Sequence, residues 1–352
     1  GITAGSRGIT DIRIILRAIA DEVRAWQGEP FIIPAMGSHG GGKAKGRAEV
    51  LAGLGITAHS VGAKLKDSDE FIFLGKSKNG VPVYVNKVAE EVNALIIANR
   101  VKPHTDFSGN IESGIHKMCA IGLGEARGAE STHQYALVNG YETVITEVGE
   151  KIMTTLPVIG CVGIVENWLG QTAVIESFSV HDALMREREL LKKAKELTIK
   201  LPVNQIDLLI IDEIGKNISG TGMDTKVVGR IMILGQPEPE YPQISRIVVL
   251  DLTAESHGNA TGIGLADFTT KELVSKVDFY ATAINCITSM CAEQGRMPIA
   301  LDTDRAAIEA ALANLGAIDR AKTRVVRIKN TLSLEQIEVS ASILEELRVS
   351  FH

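Results

Sequence analysis

The sequence predicts an α/β protein of two Rossmann-like domains with an active-site cleft between them. Three observations carry that reading. Apolar runs of strand length alternate with amphipathic helical stretches, the pattern from which parallel sheets are made. Two of these runs end in glycine-rich loops: PFIIPAM delivers Gly37–Lys43, and IDLLIID delivers Gly215–Gly222. A length of 352 residues corresponds to about two domains at roughly 100–200 residues each.

Taken in order, Gly1–Ala4 reads as the tail of a strand, so an upstream segment is expected. A helix from Asp11 to Trp26 follows, with Thr10 as its cap and Ile12, Ile15, Leu16, Ile19 and Val23 on one face. Pro30–Met36 is a strand, and a helix at 44–54 starts from its glycine loop. Phe71–Leu74 and Val81–Val85 flank Asn79-Gly80, a hairpin signal. Ala94–Asn99 is a strand feeding a long polar loop. Helices are expected at Ser131–Leu137 and Glu142–Thr154, strands at Val158–Val165 and Thr172–Phe178, and a charged helix at His181–Lys200. Leu201-Pro202 closes the first domain, so residues 1–202 form the cofactor-binding catalytic domain and 203–330 the second. The second domain holds strands at Ile206–Asp212, Ile247–Leu252 and Arg324–Ile328, with helices at Val274–Gln294 and Thr303–Leu315. In the last segment, 331–352, Leu332–Arg348 is expected to be a helix docking back on the first domain.

Hydrophobic residues make up 45% and charged residues 23%, an ordinary composition for a soluble globular protein. A net charge of −6 gives a nucleic-acid partner no electrostatic support. The longest apolar runs, such as Leu156–Val165, are too short to span a bilayer, so no membrane role is expected. The four cysteines form no CxxC pair and read as small buried hydrophobes in a reducing cytoplasm, not as a thiolate metal site.

The chemistry concentrates in Asn99–Gln134. These 36 residues hold His104, His116, His133, Lys102, Lys117, Arg100, Asp106 and Glu112, interleaved with five glycines. His39, His104 and His257 lie in loops that follow strands, where open α/β sheets bind ligands. His39 reads as a near-neutral acid/base imidazole or as a loop histidine bonded to backbone, and its three flanking glycines favour the first. His104 follows Pro103 and reads as functional or as a capping or surface residue. Lys117, at the edge of an apolar run, is functional or snorkels to solvent. His133 on its helix reads as structural by pattern alone. Arg7 binds a phosphate beside the first helix or is a surface arginine. His257 faces the cleft or caps the helix after Gly262. His59, His181 and His352 have no supporting context. The loops match neither the P-loop nor the GxGxxG fingerprint.

The arrangement of these motifs resembles the lactate racemase family that uses a nickel-pincer nucleotide. Ser6-Arg7 matches the family's phosphate motif, Gly37-Ser38-His39 its first catalytic histidine, and His104 in KPHTDFSG its second. Lys117 in IESGIHKM matches the lysine that carries the cofactor covalently, and His133 in AESTHQ the nickel ligand. One departure lies just before Lys117: the family's reference racemase has two glycines shortly before its lysine, whereas here Ile115 and His116 directly precede it. The resemblance implies an isomerase that racemises or epimerises a 2-hydroxy acid by proton-coupled hydride transfer, with cofactor-biosynthesis enzymes as partners. In the second domain it makes Lys216 the catalytic cation for substrate, with Arg230 in reserve. GKNISGTGMD and ESHGNATGIGLADF depart from the reference racemase, so a 2-hydroxy acid other than lactate is expected. Two rival readings are a metal-dependent hydrolase or lyase, with His39, His104 and His133 holding zinc directly, and a non-catalytic ligand-binding homologue that keeps Arg7 and the glycine loops.

Overall fold

The computed structural model describes residues 1–317 and 319–350. It divides into two compact units, the first comprising Gly1–His104 and Ser108–Thr198, the second Thr105–Phe107 and the chain from Ile199 onward. Each holds one six-stranded sheet.

In the first unit the strands are β1 (Ile2–Ala4), β2 (Phe31–Pro34), β3 (Lys64–Leu65), β4 (Phe71–Lys76), β5 (Pro82–Asn86), β6 (Leu95–Arg100), β7 (Val158–Glu166) and β8 (Thr172–Phe178). The sheet order is β3-β2-β1-β6-β7-β8, parallel except for the antiparallel edge strand β8. Strand order reverses between β1 and β6, which is the switch point where open sheets leave a crevice at their carboxyl ends. β1 and most of β2 are buried, as strands covered on both faces must be. The expected hairpin forms as a separate β4-β5 ribbon around Asn79-Gly80, whose turn is held by Glu147.

The helix Ile12–Ala25 buries Leu16 and Ala20 on the core that also contains Ile2, Ile32 and Leu51. Thr10 does not cap it. Asp11 occupies that position at φ 60°, while the Thr10 N–H donates to Glu166 at 2.6 Å. After β6 the chain runs through a helical turn, Ile115–Lys117, a π-helical stretch, Met118–Leu123, and the helix Glu125–Asn139. The expected helix began only at Ser131 because glycine weakens helices. Here glycine permits close packing: a Cβ on Gly128 would lie 2.9 Å from the Ala120 carbonyl oxygen.

The second unit contains β9 (Gln205–Ile214), β10 (Gln243–Leu252), β11 (Phe268–Thr270), β12 (Ile299–Leu301), β13 (Val325–Asn330) and β14 (Ser333–Val339). Their order is β12-β11-β10-β9-β13-β14, again parallel except for the last strand. The predicted helix at Val274–Gln294 is interrupted. Asp278 caps a fresh helix, Phe279–Thr288, by accepting from Ala281 N–H at 2.9 Å.

The predicted helix Leu332–Arg348, docking on the first domain, is also corrected. The Asn330 side chain accepts from the N–H groups of Leu332 at 3.0 Å and Ser333 at 2.9 Å, turning the chain into β14. A helix follows only from Ala341, and Leu334 and Ile343 belong to the second unit's core. His352 lies outside the described residues, as does the end of the 331–352 segment. None of the described helices is long and apolar enough to cross a membrane.

Candidate active site

Loops from the carboxyl ends of β1, β2 and β6 carry most of the predicted site residues. β1 delivers Ser6 and Arg7, and β2 delivers His39. Ser6 Oγ and His39 Nδ1 stand 2.6 Å apart, which ties these two loops together and orients the imidazole. The glycines around His39 serve backbone geometry. Gly40 has φ 66°, and a Cβ there would meet the Arg47 backbone nitrogen at 2.5 Å. The loop can therefore fold onto the start of the helix Ala44–Gly53 only without side chains.

The loop after β6 closes on a carboxylate. Glu112, itself buried, accepts the His104 N–H at 2.6 Å and the Gly109 N–H at 3.1 Å, and pairs with Lys195 at 2.6 Å. His104 is only 8% exposed. The next three residues belong to the second unit, where the Thr225 hydroxyl donates to the Thr105 carbonyl and Lys226 Nζ donates to the Phe107 carbonyl at 2.9 Å. An isolated bridge between Lys102 and Ser113 brings the two arms of the loop together.

That bridge sets Lys117 beside His104. Lys117 Nζ is in hydrogen-bond contact with His104 Nε2 and lies 3.4 Å from Ser113 Oγ. Beneath the lysine, at the position that departs from the family pattern, is a fully buried pair. His116 Nδ1 lies 2.5 Å from Glu187 Oε2, which also accepts the His116 N–H at 3.0 Å. Gly114 makes room for it, since a Cβ there would stand 2.0 Å from Glu187 Oε1. His116 thus gives Lys117 a fixed buttress. Sequence reasoning missed Glu187 and Tyr141, and named Glu112 only as one ionisable residue of the polar stretch.

His133, half-buried on the helix Glu125–Asn139, has Nδ1 3.3 Å from the Tyr141 hydroxyl, with the rings meeting edge-on. Arg7 is exposed, and its pKa is lowered first by the surrounding protein and then by the like charge of Arg100. Arg100 pairs with Glu166. Two neighbouring guanidinium groups at the carboxyl ends of β1 and β6 suit an anion.

The remaining candidates belong to the second unit. Lys216 Nζ donates to Asn285 Oδ1 at 2.7 Å and to the Gly220 carbonyl. Arg230 is engaged structurally, with Asp267 at 2.9 Å and the Leu265 carbonyl at 2.8 Å. His257 is exposed on a turn with φ 47°. His59 and His181 are exposed.

The zinc reading requires His39, His104 and His133 to converge. Among the described residues, no group of three or more His, Cys, Asp or Glu side chains could hold a metal ion. That reading is therefore set aside: the three histidines sit on separate elements with different local partners, Ser6, Lys117 and Tyr141.

Residues 5–144 match the family model of the lactate racemase N-terminal domain, a span that contains Ser6, Arg7, His39, His104, Lys117 and His133. In structure the chain is similar to the lactate racemase apoprotein from Thermoanaerobacterium thermosaccharolyticum, with a TM-score of 0.56 and 12% identity over 94% of this chain and 84% of that one. It is also similar to a protein from Thermotoga maritima solved by structural genomics, with a TM-score of 0.52 and 11% identity over 84% of this chain and 76% of that one. At these identities the likeness is one of fold. No curated protein sequence matches the chain. Residues 5–144 are thus similar to the lactate racemase N-terminal domain, within a chain whose fold is like that of the lactate racemase apoprotein.

His133 has a ring steadied by Tyr141, and Lys117 presents its amine at an imidazole on a buttressed turn.

Proposed function

We propose that this protein racemises or epimerises a 2-hydroxy acid other than lactate, with Lys117 as the covalent anchor of a nickel-pincer nucleotide and His133 as the protein's ligand to nickel. The observation that carries the reading is the contact between Lys117 Nζ and His104 Nε2, which sets the anchoring amine against a candidate acid/base group. When bound, the nucleotide supplies nickel on soft donors and a carbon that accepts hydride. The chain's own residues then have proton and binding work. His104 and His39 take the substrate's hydroxyl proton and return it, one histidine for each enantiomer or epimer. Ser6 holds the His39 ring by its Nδ1, and Glu112 holds His104 by its backbone. Arg7, with Arg100 nearby, binds the nucleotide's phosphate. Enzymes that synthesise the nucleotide are the partners this reading requires.

The test follows the Cα hydrogen of a 2-hydroxy acid during inversion by the loaded protein in deuterium oxide. Hydride return predicts a product of opposite configuration that retains its Cα–H. Inversion with rapid uptake of deuterium at Cα would contradict the reading, because it would show proton abstraction through a carbanion.

A further inference from the structure

We infer that His104 is also the general base that activates the Lys117 amine for its own acylation, so that the chain promotes its attachment to an activated acyl or thioacyl group. A lysine side chain is an ammonium ion at neutral pH and is not a nucleophile until it loses a proton. At Lys117 an imidazole nitrogen stands in hydrogen-bond contact with Nζ. A neutral imidazole can take the proton that attack requires.

The contact is built from both sides. His104 follows Pro103, is nearly buried, and has its backbone N–H fixed by Glu112. Lys117 projects from a turn whose His116 N–H is fixed by Glu187. The Lys102–Ser113 bridge joins the two arms, so groups thirteen positions apart in sequence meet without a search.

The step balances without any oxidant or reductant. His104 Nε2 accepts one proton from the Nζ ammonium and passes it to solvent, and the freed lone pair attacks the acyl or thioacyl carbon. A C–N bond forms, the C–S bond to a thiolate leaving group breaks, and the second nitrogen proton passes through His104 to the departing thiolate. Ammonium and thioester become amide, thiol and one released proton. The identity of the natural acyl group rests on the proposed function, whereas the reactivity of Lys117 does not.

The experiment treats the purified chain with phenyl thioacetate at pH 7.5 and follows acetylation of each lysine by peptide mass spectrometry. Lys117 is expected to react about a hundredfold faster than exposed Lys45 and Lys329 in the same sample. His104→Gln should bring Lys117 down to the rate of those references, and added imidazole should restore much of the rate in His104→Ala. The wild-type rate at Lys117 should level off above the ordinary histidine range, about pH 6.5, whereas in His104→Gln it should climb through the lysine range, about pH 10. Should the variants fold poorly, the wild-type pH profile and the internal references decide. Lys117 reacting no faster than Lys45 in the wild type, or at full rate in a folded His104→Gln, overturns the inference. A fast Lys117 in a protein that acquires neither nucleotide nor nickel would leave this inference standing while removing the proposed function.

Discussion

At Glu112 a single buried carboxylate receives two backbone N–H groups and one lysine, and thereby fixes where His104 stands. Replacing it with alanine leaves the His104 and Gly109 N–H groups without their acceptor in a place water reaches poorly. Glu112→Ala is therefore expected to lose about 3 kcal/mol of stability in urea unfolding. Glu112→Gln, which keeps an acceptor, should lose less. Equal losses for the two would contradict this account of the loop. Residue types were more legible in the sequence than their partners. His39, His104 and Lys117 stood out because ionisable groups rarely crowd a glycine-rich segment without a task, whereas His133 was marked only by the family resemblance. Glu112 and Glu187 did not stand out, because no spacing rule tells which distant backbone amide a carboxylate will meet. The Ile115-His116 departure had no explanation until Glu187 was placed against it.

Among the elements, the junction between the π-helical stretch Met118–Leu123 and the helix Glu125–Asn139 has an unusual electrostatic character. Glu125 sits there at φ 51°, fully buried, 3.4 Å from Arg47. Burial pushes its carboxyl up to about 9, and Arg47 offsets only part of this because it is already paired with Asp67 at 2.8 Å. A folded-state value above the ordinary 4.5 means that the native protein binds this proton more tightly than the unfolded chain does. The stabilisation is complete below pH 4.5 and is lost as pH rises toward 9. Glu125→Gln, neutral throughout, is expected to gain on the wild type across that window and to show a constant difference below it. Urea unfolding at several pH values measures this, and a difference independent of pH would contradict the assignment. The strands of the first sheet were readable because their ends coincide with glycine loops. Helix limits were not, because glycine penalties hid the start of the helix Glu125–Asn139. The last segment misled because the turn at Asn330 depends on one side chain accepting from two amides.

In the molecule as a whole, the same design occurs twice. Each unit has a parallel sheet with one antiparallel edge strand and a reversal of strand order, between β1 and β6 in the first and between β9 and β13 in the second. This fold class was legible from alternating apolar runs and helices. The membership of Thr105–Phe107 in the second unit was not, because it depends on the bonds from Thr225 and Lys226 to carbonyls in a loop of the first unit's sequence span. In the first unit the loops after β1, β2 and β6 carry Arg7, His39 and His104, and Lys117 lies beside His104. The family match spans all of them. The most direct test of the central claim is intact-mass and metal analysis of protein produced together with the enzymes that make the pincer nucleotide. The expected result is one covalent adduct mapped to Lys117 and about one nickel per chain, with His133→Ala losing nickel while keeping the adduct. An unmodified Lys117 under those conditions would contradict the account.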